Sequence, residues 1–411
     1  MEEYDIAIVG GGVAGLSTAV SLSTKTDAQL LLIEKGTIGD QTKTSPFTFP
    51  DIVDRFHLSD AILQKYTRFT YKSPTGVTAS FKYESPAFVT LDYQKTCNIL
   101  LNQIEKKDNV SVLEKTEALD FKSNKAKLEL ALSDSTNASC SVLVDATGSS
   151  FLTSRKLGIR LPALYSHPYG EFLEGCEIED PEEMCIFTGN KYGNGGGWLY
   201  PVSSRKARFG FATITRSRKY PKKIVEGNFR KAMRDFHPYN KMLAGAESKR
   251  PEYGTIPIGP LKRFVSGRIL VVGDAAGQAT PWYNEGIRPA LEGGKLCAKI
   301  IVEAYKDGEF REGTLKEYER LWHAANGRMY AYAKTRASSY FRSQEAWDDS
   351  VKYQASLTPE EMMGIIRYCR FPGEQSAVRL LFSRNWTTQR LKSVLERLVL
   401  RIRDTVRNSY I

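Results

Sequence analysis

Apolar positions along this chain fall first into short runs and only later into helical spacing. Residues 4–9, YDIAIV, make an apolar run that stops at glycine, the pattern of a strand buried on both faces. From Gly12 to Ser23 small and apolar residues recur at helical spacing, and 29–34, QLLLIE, form a second strand. Strand, turn, helix and strand thus close within about 30 residues. Residues 66–92 alternate instead, as TRFTYKSPTGVTASFKY and PAFVTL, which predicts antiparallel strands in a different sheet. A helical pattern returns from Tyr93 to Ile104. VSVLEK and 127–144 then read as strands, ending in SVLVDATG. Residues 161–261 read mostly as strands and turns, with an amphipathic helix near 222–236. Strand 268–273 leads to a helix over 286–305, and from 314 onward the spacing is helical. Neither repeats nor a long low-complexity linker stand out.

One sheet is therefore visited three times, at 4–34, 110–148 and 268–273. The expected fold is α/β, with a discontinuous Rossmann-type nucleotide domain (1–65, 93–160 and 262–305). An antiparallel substrate domain (66–92 and 161–261) is inserted into it, and 306–411 form a C-terminal helical region.

The first turn carries Gly10, Gly12 and Gly15 in the spacing G-x-G-x-x-G. Gly10 permits the tight turn, Gly12 lets backbone approach a pyrophosphate, and Gly15 lets helix and strand pack closely. Val13 and Ala14 open the helix, whose free N–H groups and dipole favour a negative charge. Glu34 ends the second strand with Lys35 beside it, and a carboxylate there suits a ribose diol. The competing reading is a glycine-rich turn with a solvated Glu. Far downstream, Gly273-Asp274 ends another strand, followed by the small residues Ala275, Ala276 and Gly277. Asp274 is placed to hold the sugar chain of a dinucleotide next to its second ring, and the helix opening near Gly286 points at that ring. A reduced flavin carries negative charge where such a helix end would stabilise it, so the expected cofactor is FAD rather than NAD. The alternative is a strand-end Asp that merely caps a helix.

Composition changes little. The chain has 411 residues, 41% hydrophobic and 26% charged, ordinary for a globular protein with more than one core. No apolar run reaches the length needed to span a bilayer. IAIVGGGVAGL lacks a basic flank, so it reads as the start of a cytosolic protein rather than a signal peptide. Six scattered cysteines without CxxC and four histidines make a metal site unexpected and reduced, buried thiols the default. His167 and His237, each beside proline, read as loop residues. The net charge of +11 favours acidic partners. Zinc-finger spacing, RNA-binding signatures and a dense basic arm are not apparent, so nucleic acid is not expected.

GGGVAG, then Asp145-Ala146-Thr147-Gly148, then GDAAGQATP resemble the p-hydroxybenzoate hydroxylase superfamily of flavoproteins. Within it the chain is most similar to the geranylgeranyl reductase family, over about residues 1–305. The resemblance implies FAD contacts at Gly148 and at the turn Pro281, Gly286 and Ile287, where Asn284 replaces a family glycine. It also implies a prenyl pocket at GGGWLYPV, with Trp198, Tyr200 and Pro201 matching the family's aromatic element and Gly196 in place of its leading Tyr. The Cys-Gly pair often found after the second strand in such reductases is missing from TKTSPFTFP, 42–50. Tyr93 stands where the superfamily often places an Arg against flavin or phosphate. Plant lycopene cyclases are also similar, but their acidic pair would fall near Phe211-Ala212, and neither is acidic. Flavin halogenases fit poorly, with Gly196 in the first Trp slot of their W-x-W element.

The implied activity is reduction of prenyl C=C bonds on an isoprenoid lipid. A monooxygenase, a cyclase using reduced flavin without net redox change, and a flavin-carrying binding protein are the alternatives. Saturating an isolated alkene needs a hydride and a proton in a dry aromatic pocket. Trp282 and Tyr283, before the flavin-facing helix, join Glu285 as catalytic candidates. Glu285 is either a desolvated proton relay or a charge at a helix start. A second nucleotide motif is missing, so NADPH and reduced ferredoxin both remain open as electron donors. Near the C-terminus, Leu391, Val394, Leu395, Leu398 and Ile402 form an apolar stripe edged by Arg390, Lys392, Arg397 and Arg401. It reads either as an anchor on an anionic membrane surface, making the protein peripheral, or as a helix packed on the protein body.

Overall fold

A computed structural model describes residues 2–40, 46–73, 75–124, 127–281, 283–337 and 343–368. The chain divides into two compact units, 1–356 and 357–411. Trp282, Cys369 and the apolar stripe of 391–402 lie outside the described residues.

β1 (Glu2–Val9) enters α1 (Val13–Ser23) and returns as β2 (Leu30–Ile33). Next come β3 (Phe47–Thr48), α2 (Pro50–Arg55), β4 (Ile62–Tyr66), β5 (Arg68–Lys72), β6 (Thr78–Lys82), β7 (Phe88–Leu91) and α3 (Tyr93–Leu101). β8 (Val110–Leu113) precedes the hairpin β9 (Ala118–Ser123)–β10 (Leu128–Leu132), then β11 (Asn137–Asp145) and α4 (Leu152–Lys156). β12 (Leu164–Glu174), β13 (Glu183–Phe187), β14 (Gly197–Ser203) and β15 (Lys206–Thr215) lead to α5 (Lys222–Asp235), α6 (Tyr239–Met242), β16 (Glu247–Tyr253) and β17 (Ile256–Ile258). β18 (Val265–Ser266) and β19 (Ile269–Val271) precede the long α7 (Ile287–Lys306), α8 (Glu312–Ala337) and α9 (Gln344–Ala355). In the second unit, α10 (Pro359–Tyr368) is described.

The first sheet has the order β18-β19-β11-β1-β2-β8. Its β19-β11-β1-β2-β8 pairings are all parallel, and all three expected visits join it. Buried IAIV and LLLI explain this, since both faces are covered. The second sheet, β16-β12-β15-β14-β13-β5-β6, is antiparallel except where β5 joins β13 in parallel. One expectation needs correcting. The alternating stretch 66–92 serves two sheets: β5 and β6 extend the second, whereas β7 pairs with β3 and β4 in a separate three-stranded sheet. Alternation reports one buried face and not the partner strand. His167 also departs from expectation. It is a buried residue of β12, with Nδ1 near Thr255 Oγ1 at 3.2 Å and Nε2 near Thr215 Oγ1 at 3.0 Å. The five described cysteines are free and buried.

Phe209 and Phe211 on β15 face α5, whose Val225, Phe229 and Ala232 close that core. Gly210, between them in sequence, faces the other way.

The two long-range helices of the nucleotide layer cross very closely. A Cβ added to Gly294 of α7 would lie 2.7 Å from the Ala14 carbonyl oxygen and 2.9 Å from Ser17 Cβ. Ser17 donates to the Leu291 carbonyl at 2.7 Å across the same contact. Gly294→Val is expected to force the helices apart and cost about 1–3 kcal/mol as an overpacked core does. Thermal unfolding of the purified variant measures this, and an unchanged melting temperature would show that the crossing tolerates a side chain.

Candidate functional site

Each glycine of the first turn has a distinct task. Gly10 adopts φ +113°, and a Cβ there would sit 2.3 Å from the Ala146 carbonyl oxygen, so β1 and β11 end in contact. A Cβ on Gly15 would fall 1.9 Å from the Gly10 oxygen, which keeps α1 tight on its strand. Gly12 differs: a methyl group there would meet only the Tyr93 hydroxyl, at 3.3 Å. It opens onto a cavity of about 650 Å³, within the range of ligand sites.

Gly10, Gly12, Val13, Ala14, Glu34, Lys35, Gly148 and Asp274 line this one cavity. So do Tyr283, Glu285, Gly286 and Ile287, and from the second sheet Trp198 and Tyr200. Gly15, Gly273, Pro201 and Pro281 do not line it. Gly15 and Gly273 act through packing. Gly273 has φ +68°, with its Cβ position 2.6 Å from Ala14 Cβ, so the turn rests on α1. Pro201 offers its carbonyl to the Tyr66 hydroxyl at 2.6 Å, and Pro281 is buried.

The cavity has polar and aromatic walls. Glu34, which lines it, accepts the Gly11 N–H at 2.7 Å and the Gly36 N–H at 3.0 Å. α1 begins at Gly12 with neither a cap from the Gly12 position nor an acid in its first turn, so the positive end of its dipole faces the cavity. Asp145 is buried and takes four hydrogen bonds, from the N–H and hydroxyl of Thr147 and of Thr153. It shapes the Gly148 turn from below.

On the far side, Gln278 accepts the Gly273 N–H at 2.8 Å and donates to the Tyr318 hydroxyl at 2.8 Å, which in turn donates to the Val271 carbonyl. This buried relay fixes the turn that carries Asp274. Another part of the lining is aromatic. Tyr200 lies 5.9 Å from Phe47 and 6.4 Å from Trp198, and Tyr283 lies 6.5 Å from Tyr71, centroid to centroid. Trp198 has room because Gly210 and Gly170 stand beside it in register: a Cβ on either would come within 2.4 Å and 2.8 Å of its indole. Asn284 adopts φ +54°, a conformation asparagine tolerates, and its amide donates to Ser166 Oγ at 3.1 Å.

Glu285 lines the cavity together with these polar and aromatic residues. It is buried, and its Oε1 accepts the Arg288 N–H at 2.6 Å. Its Oε2 faces Arg288 Nε at 3.5 Å, and Thr48 stands beside it. Arg288 also reaches Glu292 at 3.5 Å, and Arg55 reaches Glu292 at 2.8 Å. Burial pushes the Glu285 carboxyl up to about 7, with Arg288 pulling against it. The two sequence readings of Glu285 thus describe one residue: it holds the first turn of α7 and it is desolvated.

Tyr93, at the position where the resemblance implies an Arg, lines the same cavity. Its ring is buried, the Val13 N–H points at its hydroxyl, and Cys97 and Asp274 are its neighbours. The signal in the sequence was Asp92 as helix cap, which fixes where Tyr93 must point. Gln278, Thr48 and Arg288 carried no local signal, because their roles depend on partners distant in the chain.

The residues present fit FAD. Two helices start at glycines on one cavity, α1 at Gly12 and α7 at Gly286, where Glu285 takes the Arg288 N–H; a Cβ on Gly286 would have no neighbour closer than 3.9 Å. A doubly wound nucleotide layer feeding an aromatic chamber defines an FAD-dependent oxidoreductase. The chain belongs to the FAD binding domain family, which it matches over residues 3–331. It is 26% identical to digeranylgeranylglycerophospholipid reductase of Methanocaldococcus jannaschii, over 88% of this chain and 92% of the relative. It is 24% identical to geranylgeranyl diphosphate reductase of Synechocystis, over 87% and 90%. A solved geranylgeranyl bacteriochlorophyll reductase-like protein from Thermoplasma acidophilum shares the fold. Its TM-score is 0.79 at 18% identity, covering 90% of this chain and 98% of that one.

Asp274→Ala is expected to leave the purified protein with little bound FAD, read from its visible absorbance. Tyr93→Phe is expected to raise the FAD dissociation constant of the apoprotein about tenfold by removing one hydrogen bond near a phosphate. Fluorescence titration gives that constant, and a wild-type value would take Tyr93 out of the site.

Proposed function

We propose that the protein saturates C=C bonds in the prenyl chains of isoprenoid lipids, with Glu285 as the acid. The observation that carries this reading is a buried, protonatable carboxyl on the same cavity as Gly12, Asp274 and the rings of Trp198, Tyr200 and Tyr283. FAD, when bound and reduced, supplies a hydride for one alkene carbon. The chain's own residues do the remainder. Trp198, Tyr200, Phe47 and Tyr283 wall the chamber against water and offer ring faces to an electron-poor carbon. A prenyl tail needs no polar recognition there, since each buried methylene contributes about 0.8 kcal/mol. Glu285 holds the proton for the second carbon, and Arg288 fixes its orientation. Residues 46–50 near it, Pro-Phe-Thr-Phe-Pro, carry no titratable group. Glu34, the other buried acid on the cavity, is tied to two backbone N–H groups. The relatives' names, both reductases of geranylgeranyl compounds, support the same substrate class. The electron donor of this reading is NADPH or a reduced ferredoxin.

Two measurements test the reading. Pre-reduced enzyme, mixed without oxygen with a geranylgeranyl lipid, is expected to add two hydrogens per bond by mass. A product that appears only with oxygen and carries it would establish hydroxylation instead. Turnover is expected to fall as pH rises through about 7, where Glu285 gives up its proton. Glu285→Gln is expected to slow turnover by about 10²–10⁴-fold and abolish that limb. The same shift affects stability. The folded pKa lies above the ordinary 4.5, so the native state binds this proton more tightly than the unfolded chain. Stability is therefore lost as pH rises from about 4.5 to about 7. Glu285→Gln is expected to be more stable than wild type above pH 7, by up to about 3 kcal/mol; equal denaturation midpoints at pH 5 and pH 8 in both proteins would contradict a desolvated acid.

A further inference from the structure

Residues 216–223 read RSRKYPKK, five cations in eight positions with no acid among them. Arg216, Arg218, Lys219, Lys222 and Lys223 are all exposed. Extended to Asp235, the end of α5, the segment holds eight Lys or Arg against Glu226 and Asp235, six of the chain's eleven net positive charges. Little within the protein balances them. Lys222 pairs with Glu226 at 3.8 Å, Arg218 donates to the Ser149 and Ser150 carbonyls, and Arg216, Lys219 and Lys223 form no ion pair among the described residues.

Two apolar side chains stand among these charges. Ile224 is 56% exposed and Tyr253 44%. Tyr253 stacks near Tyr220 at 5.6 Å, which ties the basic segment to the end of β16. Both Arg218 and Tyr253 line the cavity, so the basic surface reaches its rim. Cations alone would suit an acidic protein equally well. An aliphatic side chain held out among them, and a tyrosine with an apolar body and polar tip, suit a surface with charge outside and hydrocarbon beneath.

We propose that residues 216–224, with Tyr253, dock on an anionic lipid bilayer and set the cavity rim against it. The use of this docking, delivery of a prenyl lipid, rests on the function proposed above; the docking itself does not. It is also separate from the apolar stripe at 391–402.

The test uses the full-length, FAD-loaded protein and vesicles free of prenyl lipid. Vesicles with about 30% phosphatidylglycerol are expected to co-sediment the protein, pure phosphatidylcholine is not, and raising salt to about 0.5 M is expected to release it. Each cation near such a surface is worth about a fivefold change in partition. The triple variant Lys219→Gln, Lys222→Gln, Lys223→Gln is therefore expected to lose at least tenfold, and the matching Lys→Arg triple to retain binding. Ile224→Asp is expected to lose binding to anionic vesicles with every cation in place. FAD content and melting temperature show that each variant is folded. Wild-type sedimentation by the Gln triple would overturn the proposal, including the case where deleting 376–411 alone abolishes binding. So would a Gln triple that binds vesicles normally but loses only its turnover with an acidic electron-donor protein. A protein inactive on every prenyl lipid, yet sedimenting as described, would refute the reductase reading and leave the docking surface standing.

Discussion

Where α7 crosses α1, Gly294 lies against the Ala14 backbone, and Ser17 donates its hydroxyl proton to Leu291. Side chains of ordinary size would hold two helices 8–10 Å apart; glycine on one and alanine and serine on the other bring them nearer. The consequence is felt at the helix starts. Gly12 and Gly286 belong to segments more than 270 residues apart, yet both open on the same cavity. Two positive helix ends held at a fixed separation suit a ligand with negative charge at two points along its length. The Gly273 turn lies on Ala14 as well, so Asp274 is referenced to the same helix.

The second sheet is tied to this centre by a buried charge. Arg208 pairs with Glu252 at 3.4 Å, both almost fully buried, and donates to the Leu91 carbonyl at 3.2 Å. Leu91 ends β7, Asp92 caps α3, and Tyr93 begins it with its hydroxyl at the α1 N-terminus. An arginine on the second sheet thus bonds the chain two residues before Tyr93, which lines the cavity. Removing one partner of such a pair strands a buried charge, at a cost of about 3–5 kcal/mol. The link therefore resists drift between the aromatic wall and the nucleotide layer. Tyr200 stands beside Arg208 in register, so the wall is part of the same connection.

Much of this was legible along the chain. The strand–turn–helix–strand start and the three visits to one sheet follow from buried runs and helical spacing, which report local burial directly. Gly10, Gly12, Glu34 and Asp274 were legible because each serves a turn or strand end that the sequence itself marks. The third sheet was not. Phe88–Leu91 and Arg68–Lys72 both read as short strands, and only tertiary pairing assigns them to different sheets. His167 looked like a loop residue because Pro168 follows it, although a proline opposite Ala212 is accommodated in β12. RSRKYPKK carries no periodicity, and its meaning depends on Arg218 lying on the cavity wall.

At Glu285, burial outweighs a neighbouring arginine and raises the carboxyl pKa to about 7. A buried carboxyl next to a guanidinium would ordinarily ionise, since the pair's attraction grows as solvent is withdrawn. Here Arg288 is shared. It faces Glu285 at 3.5 Å and Glu292 at 3.5 Å, and its guanidinium also lies over the Phe49 ring. Glu292 is partly exposed, so its charge is the less costly to keep, and Arg55 from α2 secures it. The negative charge of Glu292 then acts on Glu285 in the same direction as burial, and both raise its pKa. The Arg288 backbone N–H meanwhile holds one oxygen of Glu285 in place. Orientation is thus supplied by the backbone and by a divided cation. What remains is a buried carboxyl held by one backbone N–H, its pKa raised to about 7, which suits the acid role proposed above.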